Sequence, residues 1–125
     1  MVEAYSLNVE VAADSAIPFN NEFIEKGCTA TLTSPGTINL NKCGVYMVSV
    51  DASSATAASI QLFKNGVAQA QAQSTGTSPS FLTLVQVDKN NSCCACTSPV
   101  TLQVKNIGSA SATFTDVNVV VTKVV

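Results

Sequence analysis

The sequence predicts an all-β fold, and three observations favour it. Seventeen Val and thirteen Thr outnumber seven Leu, and β-branched residues prefer pleated sheet to helix. No segment carries the apolar spacing and the caps of a long amphipathic helix. Period-two alternation recurs between turn residues at near-regular intervals, which indicates about eight to ten short strands in a sandwich, barrel or jelly roll.

The elements follow in order along the chain. Strands are predicted over residues 3–11, 29–32, 37–40, 44–51, 59–64, 67–73, 81–88, 100–107 and 112–124. Asn65-Gly66 accepts positive φ at both central positions of a tight turn, so we expect a hairpin there. Residues 52–58, rich in Ala and Ser, are interpreted as a surface loop, as are Glu22 and Glu25, which flank Phe23. Residues 67–73 alternate Gln with small residues, which indicates an exposed strand or a Gln ladder at a subunit contact.

Composition narrows the function classes. The 125 residues suffice for one domain, and 11% charged residues, against about 25% in an average protein, argue against disorder. Six Lys without Arg and a net charge of -2 argue against nucleic-acid binding, and no apolar run is long enough to cross a bilayer. Without His there is no Ser-His or Cys-His nucleophile pair. We find no catalytic constellation and expect neither an enzyme nor a cofactor.

Several spaced motifs resemble a known family. The motifs are residues 16–20 (Ala-Ile-Pro-Phe-Asn), Gly27, residues 36–40 (Gly-Thr-Ile-Asn-Leu), residues 44–46 (Gly-Val-Tyr) and Asn65-Gly66. Together they resemble the TNF-like jelly roll, which occurs in the globular heads of complement-type collagenous proteins, in bacterial exosporium collagen-like proteins and in small bacteriophage virion proteins. The resemblance implies a single domain over residues 1–125, with a short N-terminal arm at about residues 1–20.

The same resemblance implies an assembly. It implies a sandwich of ten strands in two sheets that forms a homotrimer, in which one sheet of each subunit packs against its neighbours around the axis. The strands near Tyr5, Tyr46, Phe81 and Phe114 would belong to that inner sheet. Whether each of these rings fills the core or meets a neighbour stays open at this level.

A functional expectation follows from the resemblance and from two absences. The sequence carries no Gly-X-Y repeat, and no signal peptide precedes the first predicted strand. We therefore expect a non-enzymatic structural protein of a bacteriophage virion, made in the host cytoplasm, either a capsid decoration or a head-fibre protein, with the capsid or fibre protein as its partner. The alternative is a receptor-binding adhesion module, on a phage fibre or on a bacterial spore or cell surface, that reads a glycan or protein.

Two cysteines are candidates for a disulfide. If residues 35–36 form a two-residue turn, Ser34 pairs with Thr37 and Cys28 falls opposite Cys43. Cross-strand Cα atoms lie about 4.5–5.5 Å apart, within the window of about 4.4–6.8 Å that a disulfide needs.

Three further cysteines, Cys93, Cys94 and Cys96, allow several interpretations. They can be structural thiols or disulfides, a thiolate metal site completed by Cys28 or Cys43, or a redox-active Cys-x-x-Cys pair. The metal interpretation lacks a second Cys-x-x-Cys, and the redox interpretation lacks a helix N-terminus. The connectivity implied by the resemblance places Cys43, Asn65-Gly66 and residues 93–96 at one end of the subunit.

Overall fold

The protein is described by a computed structural model covering residues 1–33, 36–88 and 100–125. Every regular element in these ranges is a strand. The strands are β1 (Val2–Val11), β2 (Asn21–Glu25), β3 (Ala30–Thr33), β4 (Thr37–Leu40), β5 (Gly44–Ser54), β6 (Ala58–Lys64), β7 (Val67–Gly76), β8 (Ser80–Val87), β9 (Val100–Asn106) and β10 (Ala112–Lys123). Among the described residues, no helix has the length and apolarity that crossing a membrane requires.

The strands form two antiparallel sheets of five strands each. Sheet A has the order β2-β1-β10-β5-β8, and sheet B has the order β3-β4-β9-β6-β7. Strands that are neighbours in a sheet are often distant in sequence, as in a jelly roll, because the chain crosses repeatedly between the sheets. The predicted sandwich of about ten antiparallel strands is confirmed.

The core lies between the two sheets and follows from strand alternation. In β9, Leu102 and Val104 face inward and are buried, whereas Thr101, Gln103 and Lys105 alternate with them. The largest fully buried side chains are Tyr46, Phe114, Ile17, Leu40, Ile60, Leu62 and Leu102. A crevice between the sheets is lined by apolar side chains and leaves no room for a water molecule. This part of the core therefore offers no internal ligand cavity.

Two segments expected to be loops are strands. β2 pairs with β1 and forms an edge of sheet A, although its only half-buried side chain is Ile24. An edge strand with a single half-buried side chain has no alternation to reveal it. The Ala- and Ser-rich segment also belongs largely to strands, because β5 extends to Ser54, whose hydroxyl donates to the carbonyl of Thr113 at 3.1 Å. Only residues 55–57 connect β5 to β6.

The expected N-terminal arm at residues 1–20 is corrected as well. Residues 2–11 are strand β1, which is paired on both sides by β2 and β10. The following segment, residues 12–20, crosses from sheet A to sheet B, where the Ile17 amide donates to the Val104 carbonyl at 2.8 Å. Buried Ser6 holds the end of this segment in place, since the Ser6 hydroxyl donates to the Pro18 carbonyl at 2.6 Å and accepts from the Asn20 amide at 2.8 Å. We call residues 12–20 the crossing segment.

The predicted hairpin at Asn65-Gly66 is confirmed. The φ angles of these residues are 51° and 80°, and Lys64 pairs with Val67 across the turn. Positive φ at both positions is the property of a type I′ turn, and it is why Asn and Gly occupy them.

Two glutamines of β7, Gln69 and Gln73, have local partners. Gln69 donates through its side chain to the Val67 carbonyl at 2.9 Å, and Gln73 donates to the Ala70 carbonyl at 3.1 Å. These amides are therefore engaged within their own strand, as suits an exposed strand.

The sandwich has two distinct ends. At the first, the Met1 amino group donates to the Lys26 carbonyl at 2.7 Å, and the Val124 amide donates to the Val45 carbonyl at 2.8 Å. We call this the terminus end, because Met1 and Val125 both lie there. The opposite end carries the crossing segment and the connections β5–β6, β7–β8 and β9–β10, and we call it the distal end.

Candidate interaction surface

The outward face of sheet A is apolar toward the terminus end. Across β8, β5 and β10 the register places Leu84 beside Met47, and it places Ser49 between Leu82 and Val120. The exposed fractions of Leu82 and Leu84 are 65% and 60%. We call this group the apolar band, and its members are Val45, Met47, Leu82, Leu84 and Val120.

Strand β8 exposes its leucines while burying a polar residue. Leu82 and Leu84 point outward, whereas Thr83 between them is buried in the sandwich. A shift of one residue in register would exchange these positions and bury both leucines, yet the pairing of Val48 with Thr83 maintains the observed arrangement. The sequence therefore places large apolar side chains on the outside of this strand, which is typical of an interface.

Sequence reasoning missed these two leucines as surface residues, although a signal was present. Residues 81–87 read Phe-Leu-Thr-Leu-Val-Gln-Val, which is apolar on both faces over most of its length. Such a run predicts a strand that is covered on both faces. Within one subunit β8 is covered only on the inner face, so its outer face lacks the cover that its composition indicates.

Toward the distal end the same face becomes acidic. Asp51 pairs with Asn118 across β5 and β10, and Asp116 lies beside Leu7 on β1. Glu10 occupies the next outward position near the end of β1. We call Glu10, Asp51 and Asp116 the acidic band; all three are exposed. Within the described ranges, no lysine takes an outward position between the two margins of sheet A.

Strand β2 forms the margin of sheet A opposite β8. Its pairing with β1 is interrupted by an irregularity opposite Phe23, whose side chain is 68% exposed. The two carboxyl groups of this strand interact, since a hydrogen bond with Glu25 raises the pKa of Glu22, and slight desolvation and repulsion from Glu25 act in the same direction. This margin therefore combines an exposed ring with a pair of carboxyl groups.

The four aromatic residues singled out from the sequence all lie on strands of sheet A. Tyr46 and Phe114 are completely buried in the core, and Phe81 packs against the margin of the core. Tyr5 is half-buried at an outward position of β1, beside Asn118. Of the four, Tyr5 is thus the ring that the outward face of sheet A presents.

Buried Tyr46 also fixes the polypeptide at the terminus end. Its hydroxyl oxygen lies 2.7 Å from the Lys42 carbonyl oxygen and 3.1 Å from that of Thr29. Donation to these carbonyls connects β5 to the start of β3 and satisfies the hydroxyl inside the core.

The predicted register between Cys28 and Cys43 is wrong by one residue. Thr33 pairs with Thr37, and Ala30 pairs with Leu40, so the connection holds three residues and Cys28 falls opposite Lys42. The Thr33 hydroxyl donates to the Thr37 carbonyl at 3.3 Å and supports this register. Cys28 is exposed whereas Cys43 is buried, and within the ranges that the structure describes no disulfide joins them.

The remaining cysteine candidates, Cys93, Cys94 and Cys96, lie outside the described residues. The segments that flank them meet at the terminus end, where Val87 pairs with Gly44 and the Asn65 amide donates to the Thr101 carbonyl at 2.9 Å. Nowhere in residues 1–33, 36–88 and 100–125 do three His, Cys, Asp or Glu side chains converge as a metal site.

A cleft of about 370 Å³ opens at the distal end. Small and hydroxyl-bearing residues line it, including Thr56, Ser59, Ser109 and Ser111. Buried Asn106 forms its floor. Uncharged donors and acceptors of this kind suit a neutral polar ligand rather than an ion.

Asn106 connects the two sheets, a role that sequence reasoning missed. Its side-chain amide donates to the carbonyls of Val11 at 3.0 Å and Ala110 at 3.1 Å, and its carbonyl oxygen accepts from the Gly108 amide at 2.9 Å. Its backbone carbonyl also accepts from the amide of Asp14 at 2.7 Å. The only sequence signal was an amide at the end of a strand, just before a turn.

Comparison with known proteins finds similarity in structure but not in sequence. No protein-family model and no curated protein matches the sequence. The globular domain of the zebrafish complement 1qA protein superposes with a TM-score of 0.76 at 10% identity, covering 99% of this chain and 96% of that one.

A vertex protein and a TNF protein share the architecture. The PRD1 vertex protein P5 has a TM-score of 0.68 at 12% identity, with coverage of 99% and 96% of the two chains. The Eiger TNF of S. frugiperda has a TM-score of 0.62 at 16% identity, with coverage of 99% and 92%. The likeness extends over the whole chain in each case, so the fold of this protein is a TNF-like jelly roll.

Proposed function

We propose that the protein is a non-enzymatic structural component of a bacteriophage virion, which acts as a homotrimeric capsid decoration or head-fibre protein. The outward face of sheet A carries this proposal. Its leucines at positions 82 and 84 are exposed on a strand that buries Thr83. Such a face requires a cover, and further copies of the same chain provide it.

The distribution of exposed apolar side chains supports self-association through this face. The described residues include eight exposed large hydrophobic side chains. Of these, Leu7, Leu82 and Leu84 are outward on sheet A, and Phe23 lies at its margin. Val67 lies on sheet B, and the others, at the two ends of the chain, are Met1, Val124 and Val125. Exposed apolar residues that gather on one face mark contact surfaces. A cyclic trimer buries the same face of every subunit, and it also matches three-fold positions of a capsid by symmetry.

The virion role has separate support. The PRD1 vertex protein P5 shares the fold over 99% of this chain, so a phage virion contains a domain of this architecture. Because fold alone does not dictate function, the role needs a direct test in particles.

The first experiment measures the native mass by light scattering after size exclusion, with and without reductant. We expect three times the chain mass in both conditions, because apolar packing and not a disulfide holds the subunits. A monomer would contradict self-association, and a trimer found only without reductant would move the interface to the cysteines.

The second experiment tests the location. Purified virions from the phage that encodes the chain should contain the protein in stoichiometric amounts, and cryo-electron microscopy should show three-fold density on the capsid or at a head fibre. Absence of the protein from washed particles would refute the virion role without affecting the trimer.

A second candidate function is a receptor-binding module, and the distal cleft favours it. Thr56, Ser59, Ser109 and Ser111 line the cleft, and none of its lining residues in the described part of the chain is charged, which suits a neutral glycan. Binding on a glycan array that is lost in Ser109→Val and kept in Thr31→Val, on sheet B, would favour this role. No binding to any glycan would exclude a glycan receptor.

A further inference from the structure

We propose that ionic strength controls the self-association of this protein, because the distal half of the face that the subunits share carries carboxyl groups and, within the described residues, no lysine. This inference rests on the proposed trimer and adds its regulation. The acidic band of Glu10, Asp51 and Asp116 occupies the distal half of the same outward face that carries the apolar band at the terminus end.

The charges are close enough to act together. Asp51 pairs with Asn118, so Asp116 is its diagonal neighbour on β10, at a Cα separation of about 7–8 Å. Glu3 adds a fourth carboxyl to the outward face beside Val120. None of the lysines in the described residues lies beside the acidic band. Lys26 pairs with Met1 at the terminus end, and Lys123 donates to the Val125 carbonyl at 2.8 Å at the same end. Lys64 donates to the Gln86 carbonyl at 2.7 Å, at the β8 margin.

Cyclic packing multiplies this charge. When sheet A of each subunit faces the axis, every carboxyl on the face is repeated three times around it, and among the described residues no lysine lies beside the acidic band to compensate. The apolar band then favours association while the acidic band opposes it. At low salt the repulsion extends over about 30 Å, and at 0.1 M salt it is screened within about 10 Å.

The test is the trimer dissociation constant at increasing NaCl, measured by sedimentation equilibrium. For the wild type we expect association to strengthen by about tenfold or more between roughly 0.01 M and 0.5 M NaCl as screening proceeds. The double variant Asp51→Asn/Asp116→Asn should associate at low salt as tightly as the wild type does at high salt, and its salt dependence should largely disappear.

The matched control is Asp14→Asn. It removes one negative charge, half of the change in the double variant, from the crossing segment, off the face, and Asn tolerates the φ of 60° at this position. We expect its salt dependence to match that of the wild type. If Asp14→Asn and the double variant changed the salt dependence equally, the net charge of the protein would control association rather than the carboxylates on this face. That result would overturn the inference.

The outcomes separate the two proposals. A trimer whose dissociation constant is unchanged from low to high salt overturns the electrostatic control and leaves the trimer intact. A monomer at every salt concentration, in the wild type and in the double variant alike, overturns the trimer and this inference with it.

Discussion

The outward faces of the two sheets differ although both belong to the same sandwich. On sheet B many outward side chains are polar and bond to one another: Gln103 donates to the Thr37 hydroxyl at 3.0 Å, and the hydroxyls of Ser59 and Thr75 lie 2.8 Å apart. The outward ring of Phe63 is covered by the Lys105 ammonium, 4.6 Å from its centroid. On sheet A the corresponding positions of β8 hold Leu82 and Leu84. One face is thus adapted to water, and the other is the face that we propose a neighbouring subunit covers.

Replacing apolar side chains on the outward face of sheet A with polar ones, as on sheet B, should have the largest effect, a loss of trimer association. We expect Leu82→Thr/Leu84→Thr to weaken trimer association by about 100-fold or more, since about 1.4 kcal/mol corresponds to each factor of ten and buried leucines contribute more than that. Analytical ultracentrifugation measures it. The control is Val67→Thr on sheet B, 63% exposed, which should leave the mass unchanged; equal loss in both variants would contradict the distinction between the faces.

The difference between the faces requires that the two sheets stay joined, and Asn106 joins them. We expect Asn106→Asp to lower the free energy of unfolding by about 3 kcal/mol or more, because a carboxylate cannot donate to the carbonyls of Val11 and Ala110 and is buried. Urea denaturation provides the value. Ser109→Ala, in the exposed connection beside it, should change stability little, and an Asn106 variant as stable as the wild type would refute the role of this amide.

The crossing segment is held against sheet B by close backbone packing. A Cβ atom at Gly36 would collide with the backbone carbonyl of Ile17, and backbone atoms cannot yield cheaply. We expect Gly36→Ala to destabilise the protein by about 1–3 kcal/mol, as measured by thermal unfolding. Gly27→Ala is the comparison, since nothing lies near its Cβ although its φ is 71°; a larger loss there than at Gly36 would contradict the packing argument.

At the terminus end, the variant Tyr46→Phe distinguishes the inner side of sheet A from its outward face. This change keeps the ring in the core and removes the hydroxyl that donates at the carbonyls of Lys42 and Thr29. We expect a loss of about 1–1.5 kcal/mol with no change in trimer mass, because Tyr46 is buried inside the subunit. Dissociation of the trimer in this variant would place the ring at the interface instead.

The smallest expected effect is the pH dependence of folding stability that the carboxyl groups of β2 produce. The pKa of Glu22 is raised in the folded protein by its hydrogen bond with Glu25. Between the unfolded and the folded pKa, the folded state therefore binds more protons than the unfolded chain. This contribution to stability is present below the unfolded pKa and is lost as pH rises through the folded pKa. Unfolding measured from about pH 3 to pH 7 should show wild type gaining stability relative to Glu22→Gln as pH falls. The wild type should gain stability relative to Glu25→Gln in the same way. Parallel curves of stability against pH for the wild type and Glu22→Gln would disprove the coupling of the two carboxyl groups.

Strand alternation explains how much of the fold the sequence could predict. The strands that bury one side in the core, such as β9 with Leu102 and Val104, show the period of two and were predicted nearly to the residue. The Asn65-Gly66 hairpin was predictable because turn chemistry is local. β2 was not, because a short edge strand with little burial leaves no periodic trace.

The candidate site shows a different limit. The sequence indicated that β8 is apolar on both sides, but only the register could decide that Leu82 and Leu84 face outward and Thr83 inward. The same holds for Cys28, since one extra residue in a turn moved it from opposite Cys43 to opposite Lys42. Register depends on long-range pairing, and a shift of one residue inverts every side chain.

The position of the termini gives the subunit a direction. Met1 bonds beside Lys26 and Val124 bonds to Val45, so both ends of the chain emerge on one side, while the cleft lined by Ser109 and Ser111 opens on the other. A peptide or enzyme fused to either terminus would project away from the cleft and leave its rim uncovered. Three such fusions in one trimer would cluster their cargo on a single side, which makes the domain a natural scaffold for polarised display.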